Sequence, residues 1–111
     1  MQGRIFHLAE QTSFLGRSSR NDLQIMDGSV SRKQIKIFTS GGKAFLEDLK
    51  STNGTLLNGS LIQSGKGFEL VEGDVISIGA TSLKVVLISS SESGPDTEAS
   101  GKESTDISLV Q

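Results

Sequence analysis

The stretch GDVISIGATSLKVVLI, residues 73–88, alternates apolar and polar side chains with a period of two. Ile76 and Ile78 fall on one face with Ser77 opposite, and Leu83, Val85 and Leu87 share a face further on. Successive side chains of a strand point to opposite faces, so the pattern predicts half-buried strands. The same alternation recurs upstream. In QIKIF (34–38), Ile35 and Ile37 oppose Lys36, and in IFHL (5–8), Ile5 and His7 oppose Phe6 and Leu8. Turn dipeptides separate these segments: Asp27-Gly28, Gly41-Gly42, Asn53-Gly54, Asn58-Gly59 and Gly73-Asp74. No segment keeps the i, i+3, i+4, i+7 spacing long enough for a helix of ordinary length. Many short strands between glycine-rich turns indicate an all-β sandwich or barrel.

With 111 residues, of which 34% are hydrophobic, the chain has room for one small domain and a part that does not pack. The composition changes after Ile88. Residues 89–111 hold seven serines, five acids, one lysine and the only proline. Such a stretch buries too little apolar area to offset its ordering entropy. A folded domain is therefore expected over 1–88 and a disordered, acidic, serine-rich tail or linker over 89–111. Ending in a linker-like stretch is the pattern of a piece of a larger signalling or secretion protein. The formal charge of −2 divides into +2 for residues 1–88 and −4 for the tail.

That inventory narrows the chemistry. Without cysteine there is no disulfide, no thiolate zinc site and no thiol nucleophile. His7 is the one histidine, and its place on a strand suits a surface or hydrogen-bonded ring. No apolar run approaches the ~18 residues of a membrane span, and MQGRIFHLAEQ lacks the apolar core of a signal peptide, so the expected compartment is the cytoplasm. A body of +2 with no aromatic platform and no long basic stripe gives no warrant for nucleic-acid binding.

Four polar clusters fall where turns are expected: Gly16-Arg17, residues 29–34 (SVSRKQ), residues 48–55 (DLKSTNGT) and Leu57-Asn58-Gly59. Arg17 and Arg32 offer guanidinium forks, Ser31 and Thr52 offer hydroxyl donors, and the Asn53 amide both donates and accepts. Lys33 and Lys50 add positive charge. None of these side chains is a general base or an activated nucleophile, so they suit holding an oxyanion more than breaking a bond. A phosphate monoester, with three acceptor oxygens and roughly −1.5 to −2 charge, matches one bidentate arginine plus two hydroxyls.

In this order the clusters resemble the forkhead-associated (FHA) domain family. The family motif runs Gly-Arg, Ser-x-x-His, Asp-Leu-x-Ser-x-Asn-Gly-Thr, Asn-Gly and a late Gly-Asp-x-Ile-x-Ile-Gly. Its counterparts here are Gly16-Arg17, Ser31-Arg32-Lys33-Gln34, residues 48–55, Asn58-Gly59 and residues 73–79. The match covers roughly residues 4–88. The resemblance implies a β-sandwich of about eleven short strands whose loops at one edge bind phosphothreonine in an extended peptide. Arg17 and Ser31 would hold the phosphate, with Thr52 adding a hydroxyl. Arg32 would contact phosphate or peptide backbone, and Asn53 the peptide backbone. Lys33 and Lys50 are candidate peptide contacts. Gly16, Asp48, Gly54, Asn58 and Gly59 are assigned to structure. Gln34 departs from the family's histidine, yet an amide that both donates and accepts can brace the same loops.

The expected partner is thus a protein phosphorylated on threonine by a Ser/Thr kinase, with no cofactor, metal, nucleic acid or membrane insertion. Thr97 and Thr105 in the acidic tail, if phosphorylated, are candidates for capture, more easily between molecules than within one. Gln34 supports an alternative: a divergent domain that binds a protein, or itself, without phosphate. A hydrolase built on Glu47 and Asp48 is disfavoured, because neighbours on a strand point to opposite faces.

Overall fold

Alternation in the sequence becomes two sheets that share one core. The computed structural model describes residues 5–8, 11–89 and 105–111, and among them there are eleven strands and no helix. They are β1 (Ile5–Leu8), β2 (Thr12–Gly16), β3 (Leu23–Gln24), β4 (Ile35–Ser40), β5 (Lys43–Asp48), β6 (Leu56–Leu57), β7 (Ser60–Leu61), β8 (Phe68–Leu70), β9 (Val75–Ile78), β10 (Thr81–Ser89) and β11 (Thr105–Val110). One sheet has the order β1-β11-β10-β9-β6-β7 and the other β3-β2-β4-β5-β8. All pairings are antiparallel except β2 with β3.

The faces assigned from alternation are the faces that meet. Leu15, Ile35, Ile37 and Leu46 of one sheet pack against Ile76, Ile78, Leu83 and Val85 of the other, all fully buried. Each such side chain contributes roughly 1.5–3 kcal/mol of gross hydrophobic stabilisation. Phe6, Leu8 and Leu87 close the rim of this core, while Ile5 stays exposed. The expected β-sandwich of about eleven strands is the fold observed. Glu47 and Asp48 do point apart: Glu47 pairs with Lys36 at 3.5 Å, whereas Asp48 is buried.

The expected tail over 89–111 is corrected at its far end. Thr105–Val110 forms β11, inserted between β1 and β10. Ile107 and Leu109 join the core, and Ser108 bonds the His7 ring at 2.8 Å. A composition summed over 23 residues hides this six-residue alternation, whose apolar burial and two flanking strands offset the ordering cost. Residues 90–104 lie outside the described residues.

Register decides where the functional loops emerge. Leu15, one residue before the end of β2, pairs with Ile35 at the start of β4, and Ile35 pairs with Asp48 at the end of β5. Antiparallel pairing therefore delivers residues 17–22, 25–34 and 49–55 to the same end of the five-stranded sheet.

Candidate functional site

Backbone hydrogen bonds continue between the first two loops past the ends of their strands. Arg17 N donates to Ser31 O (2.9 Å), Ser18 N to Arg32 O (3.1 Å) and Gln34 N to Leu15 O (2.9 Å). Gly16 permits this approach, because a Cβ there would collide with the Arg32 carbonyl. The Asn21 amide Nδ2 ties the same loops together, donating to Ser18 O (2.9 Å) and Arg32 O (2.6 Å).

Gln34 joins the second loop to the third. It is fully buried; its Oε1 accepts from Ser31 N (2.8 Å), and its Nε2 donates to Gly54 O (2.9 Å) and Thr55 Oγ1 (3.0 Å). A backbone N–H on one side and a carbonyl on the other leave only one orientation for the amide. Thr55 passes the chain on, donating to Asp48 Oδ1 at 2.6 Å. Asp48 also accepts from the Ser51 hydroxyl (2.6 Å), Ser51 N (3.1 Å) and the Ser64 hydroxyl. Burial pushes the Asp48 carboxyl up, but these hydrogen bonds outweigh it and hold it below the usual carboxylate range. Gly54, at φ 87°, turns the chain where a Cβ would come 2.6 Å from Leu61 Cδ1.

On this frame the donors converge. The Arg17 Nε donates to Val30 O at 2.9 Å, which orients the guanidinium and leaves both Nη groups without a partner among the described residues. Ser31 Oγ accepts from Thr52 N at 2.9 Å, so its own O–H remains available to donate. The exposed Asn53 spends one amide hydrogen on Ser29 O (3.0 Å) and leaves the other, with Oδ1, without a partner among the described residues. The Thr52 hydroxyl is exposed beside them. Arg17, Thr52 and Asn53 are thus each one hydrogen bond from residues 29–31, the segment that carries Ser31.

Asp27 fixes that segment from the opposite side. Its Oδ1 accepts from the Ser29 hydroxyl (2.6 Å) and Ser29 N (2.9 Å), and its Oδ2 from Ala80 N (2.8 Å) and Thr81 Oγ1 (3.2 Å). Chiefly through the Ser29 hydroxyl, then the Ser29 and Ala80 amides, its pKa falls to about 2. Bound on both oxygens, it makes no ion pair among the described residues.

The other candidates separate from this cluster. Arg32 and Lys33 are exposed and face a neighbouring groove with Phe14, Ser18, Arg20 and Asn21. Lys50 is exposed in a turn at φ 59°. Asn58 bonds Asp74 and Val75 and belongs to the scaffold. Asp27 and Asn21 are the contributors that sequence reading missed. The signal for Asp27 was present in Asp27-Gly28-Ser29, since an Asp accepting from the residue two positions on is a common turn device. No group of three or more His, Cys, Asp or Glu able to hold a metal occurs among the described residues.

Comparison with known proteins agrees with this geometry. The family model described as "FHA domain" matches residues 14–79. FhaA of Mycobacterium tuberculosis, an FHA domain-containing protein, is 36% identical over 83 residues, covering 75% of this chain and 15% of that protein. The chain therefore spans only a small part of that relative. The solution structure of the FHA domain of an Arabidopsis thaliana hypothetical protein superposes with a TM-score of 0.69 at 30% identity, covering 87% of this chain and 91% of that one. An FHA domain solved in an analysis of phosphothreonine-dependent FHA domain interactions gives a TM-score of 0.62 at 30% identity, covering 74% and 92%.

Proposed function

This chain belongs to the FHA domain family, and from that premise we propose that it is a non-catalytic module that binds phosphothreonine-containing segments of partner proteins. The observation that carries the reading is the set of unspent donors. The Arg17 Nη groups and the Ser31 hydroxyl project from one braced loop pair with no carboxylate partner among the described residues. A dianionic phosphate takes the guanidinium as a fork and the hydroxyl as a third donor, with Thr52 beside it. Arg32 adds positive charge, Asn53 bonds the peptide backbone, and Lys33 and Lys50 contact flanking residues. The similarity to an FHA domain studied for phosphothreonine-dependent interactions supports the same reading. Gln34 in place of histidine is no obstacle to it, since its three hydrogen bonds already brace the two loops.

Preference for threonine over serine rests on one methyl group, about 0.8 kcal/mol or roughly fourfold. Larger discrimination would draw on the stiff χ1 of a β-branched residue. The proposed setting is the cytoplasm, and the proposed ligand is the product of a Ser/Thr kinase. Capture of the chain's own threonines is constrained. Thr105 opens β11, so taking it up would extract Ile107 and Leu109 from the core. Thr97 lies outside the described residues and is proposed only as a ligand for a second molecule.

The test is calorimetric titration with a degenerate phosphothreonine peptide pool and its unphosphorylated twin, against the wild type and Arg17→Ala. Binding that requires both phosphate and Arg17 supports the proposal. Equal binding of the two pools would instead favour a phosphate-independent interaction domain.

A further inference from the structure

We infer that the groove beside the phosphate donors is a second anion subsite, reading an acidic or phosphorylated side chain that flanks the phosphothreonine. The inference rests on the phosphopeptide reading above and specifies the class of peptide it selects. The groove has a volume of about 500 Å³ and is lined by Phe14, Ser18, Arg20, Asn21, Arg32 and Lys33. Half of these residues are cations and none is a carboxylate. Among the described residues none of the three cations has a carboxylate at ion-pair distance; the ion pair present there is Lys36–Glu47, on β4 and β5. Asp22, the nearest carboxylate in sequence, accepts from Phe14 N through one oxygen at 2.7 Å and makes no ion pair with the three cations. Asp27 is committed to Ser29, Ala80 and Thr81.

The groove is also built rather than draped. Ser18 N and Asn21 Nδ2 both donate to Arg32 O, so the two loops that carry the cations cannot slide past each other. Lys33 Nζ sits 4.9 Å from the centre of the Phe14 ring, which places its ammonium at the groove wall. Arg20 leaves a turn closed by its own N–H on Ser18 Oγ at 3.1 Å. Like charges gathered around a concavity raise its potential, and an anion entering it relieves their repulsion. Two guanidinium forks and an ammonium suit a carboxylate or a phosphate. Arg32 follows Ser31 directly, so the groove begins one residue from a hydroxyl assigned to the phosphothreonine. An extended peptide advances about 3.3–3.6 Å per residue, which brings a side chain within a few positions of the phosphothreonine into the groove.

The experiment uses the whole chain and phosphothreonine peptides with alanine flanks. A single aspartate, or a single phosphoserine, is walked along both flanks, and each peptide is titrated calorimetrically against wild type, Arg20→Gln and Lys33→Gln. In the wild type, one window of positions tightens binding roughly fivefold to thirtyfold, more for phosphoserine than for aspartate. In Arg20→Gln that gain shrinks to about twofold or less, while the alanine-flanked peptide binds as it does to wild type. Lys33→Gln also reduces the gain. The inference is overturned if the alanine-flanked phosphopeptide binds and no flanking position responds. It is equally overturned if the gain survives both charge removals. Failure of the wild type to bind any phosphothreonine peptide defeats the phosphopeptide reading itself, and the second subsite with it.

Discussion

Two turn clusters in this molecule are written in nearly the same letters and do opposite things. Around Asn58, the polar groups satisfy one another. Asn58 Nδ2 donates to Asp74 Oδ1 (2.9 Å), Val75 N to Asn58 Oδ1 (2.9 Å), and Val71 N to Asp74 Oδ2 (2.8 Å). Around Asn53, the inner ring of Gln34, Asp48, Ser51 and Thr55 is satisfied, but an outer ring is left open at Arg17, Ser31 and Thr52. An Asn-Gly turn is therefore no sign of a site by itself. What distinguishes the Asn53 cluster is a closed polar frame that carries donors it does not use.

The largest expected effect comes from removing an open donor. Arg17→Ala should weaken phosphopeptide binding by about 2–4 kcal/mol, roughly 30- to 1000-fold, and leave the melting temperature near that of wild type. Paired calorimetry and thermal melts check this, and a Kd that does not move would remove Arg17 from the site.

Next comes the frame. Gln34→Ala strands Ser31 N and the Gly54 carbonyl in a buried setting and should cost about 2–4 kcal/mol of stability. It should weaken binding too, because the Ser31 and Thr52 loops lose their brace. Denaturant unfolding with a binding titration separates the two losses. Unchanged stability would mean the frame is not rigid, and the contrast with the Asn58 cluster would blur.

The closed cluster supplies the converse. Asn58→Ala, at a position with φ 52°, should cost about 1–2 kcal/mol of stability and leave Kd alone. A loss of binding equal to that of Arg17→Ala would show that the two clusters are not independent.

The smallest effects are titrations. Phosphopeptide binding should fall below about pH 6, as the phosphate takes up its second proton. Stability should fall at lower pH. The Asp27 carboxyl is held at about 2 against an ordinary 3.8, so the folded state binds that proton less readily. Its contribution is complete above pH 3.8 and disappears as the pH drops to about 2. Asp48, also held low, loses its contribution in the same direction. Melts taken down to pH 2 should show a shallower acid decline in Asp27→Asn than in wild type.

Most of the sandwich was legible because its strands bury one face, and burial writes a period of two into the sequence. Ile35 with Ile37 and Leu83 with Val85 are such pairs, and each faces the core. The candidate site was legible for another reason: Arg17, Ser31, Thr52 and Asn53 adjoin turn residues whose spacing matches a family motif. β11 was not legible, because a strand whose apolar face is Ile107 and Leu109 vanishes in a serine-rich, acidic average. The β1–β11 pairing is also non-local, and local pattern carries no trace of a partner about a hundred residues away. The groove was illegible in the same sense. Arg20 and Lys33 lie in separate loops, and the Asn21 and Ser18 bonds to the Arg32 carbonyl, with Arg17 N on Ser31 O, bring them together.

The sheet order β1-β11-β10 has a consequence for the birth of the molecule. The first described strand to leave the ribosome pairs with the last. At about 5–20 residues per second, β1 waits on the order of 5–20 s for its neighbour. Once made, the long strand β10 presents an unpaired edge until β11 follows about 20 residues later, roughly 1–4 s at that rate, a ready template for another chain. The nascent chain is most prone to misassembly during that short interval, and pairing of β11 closes it.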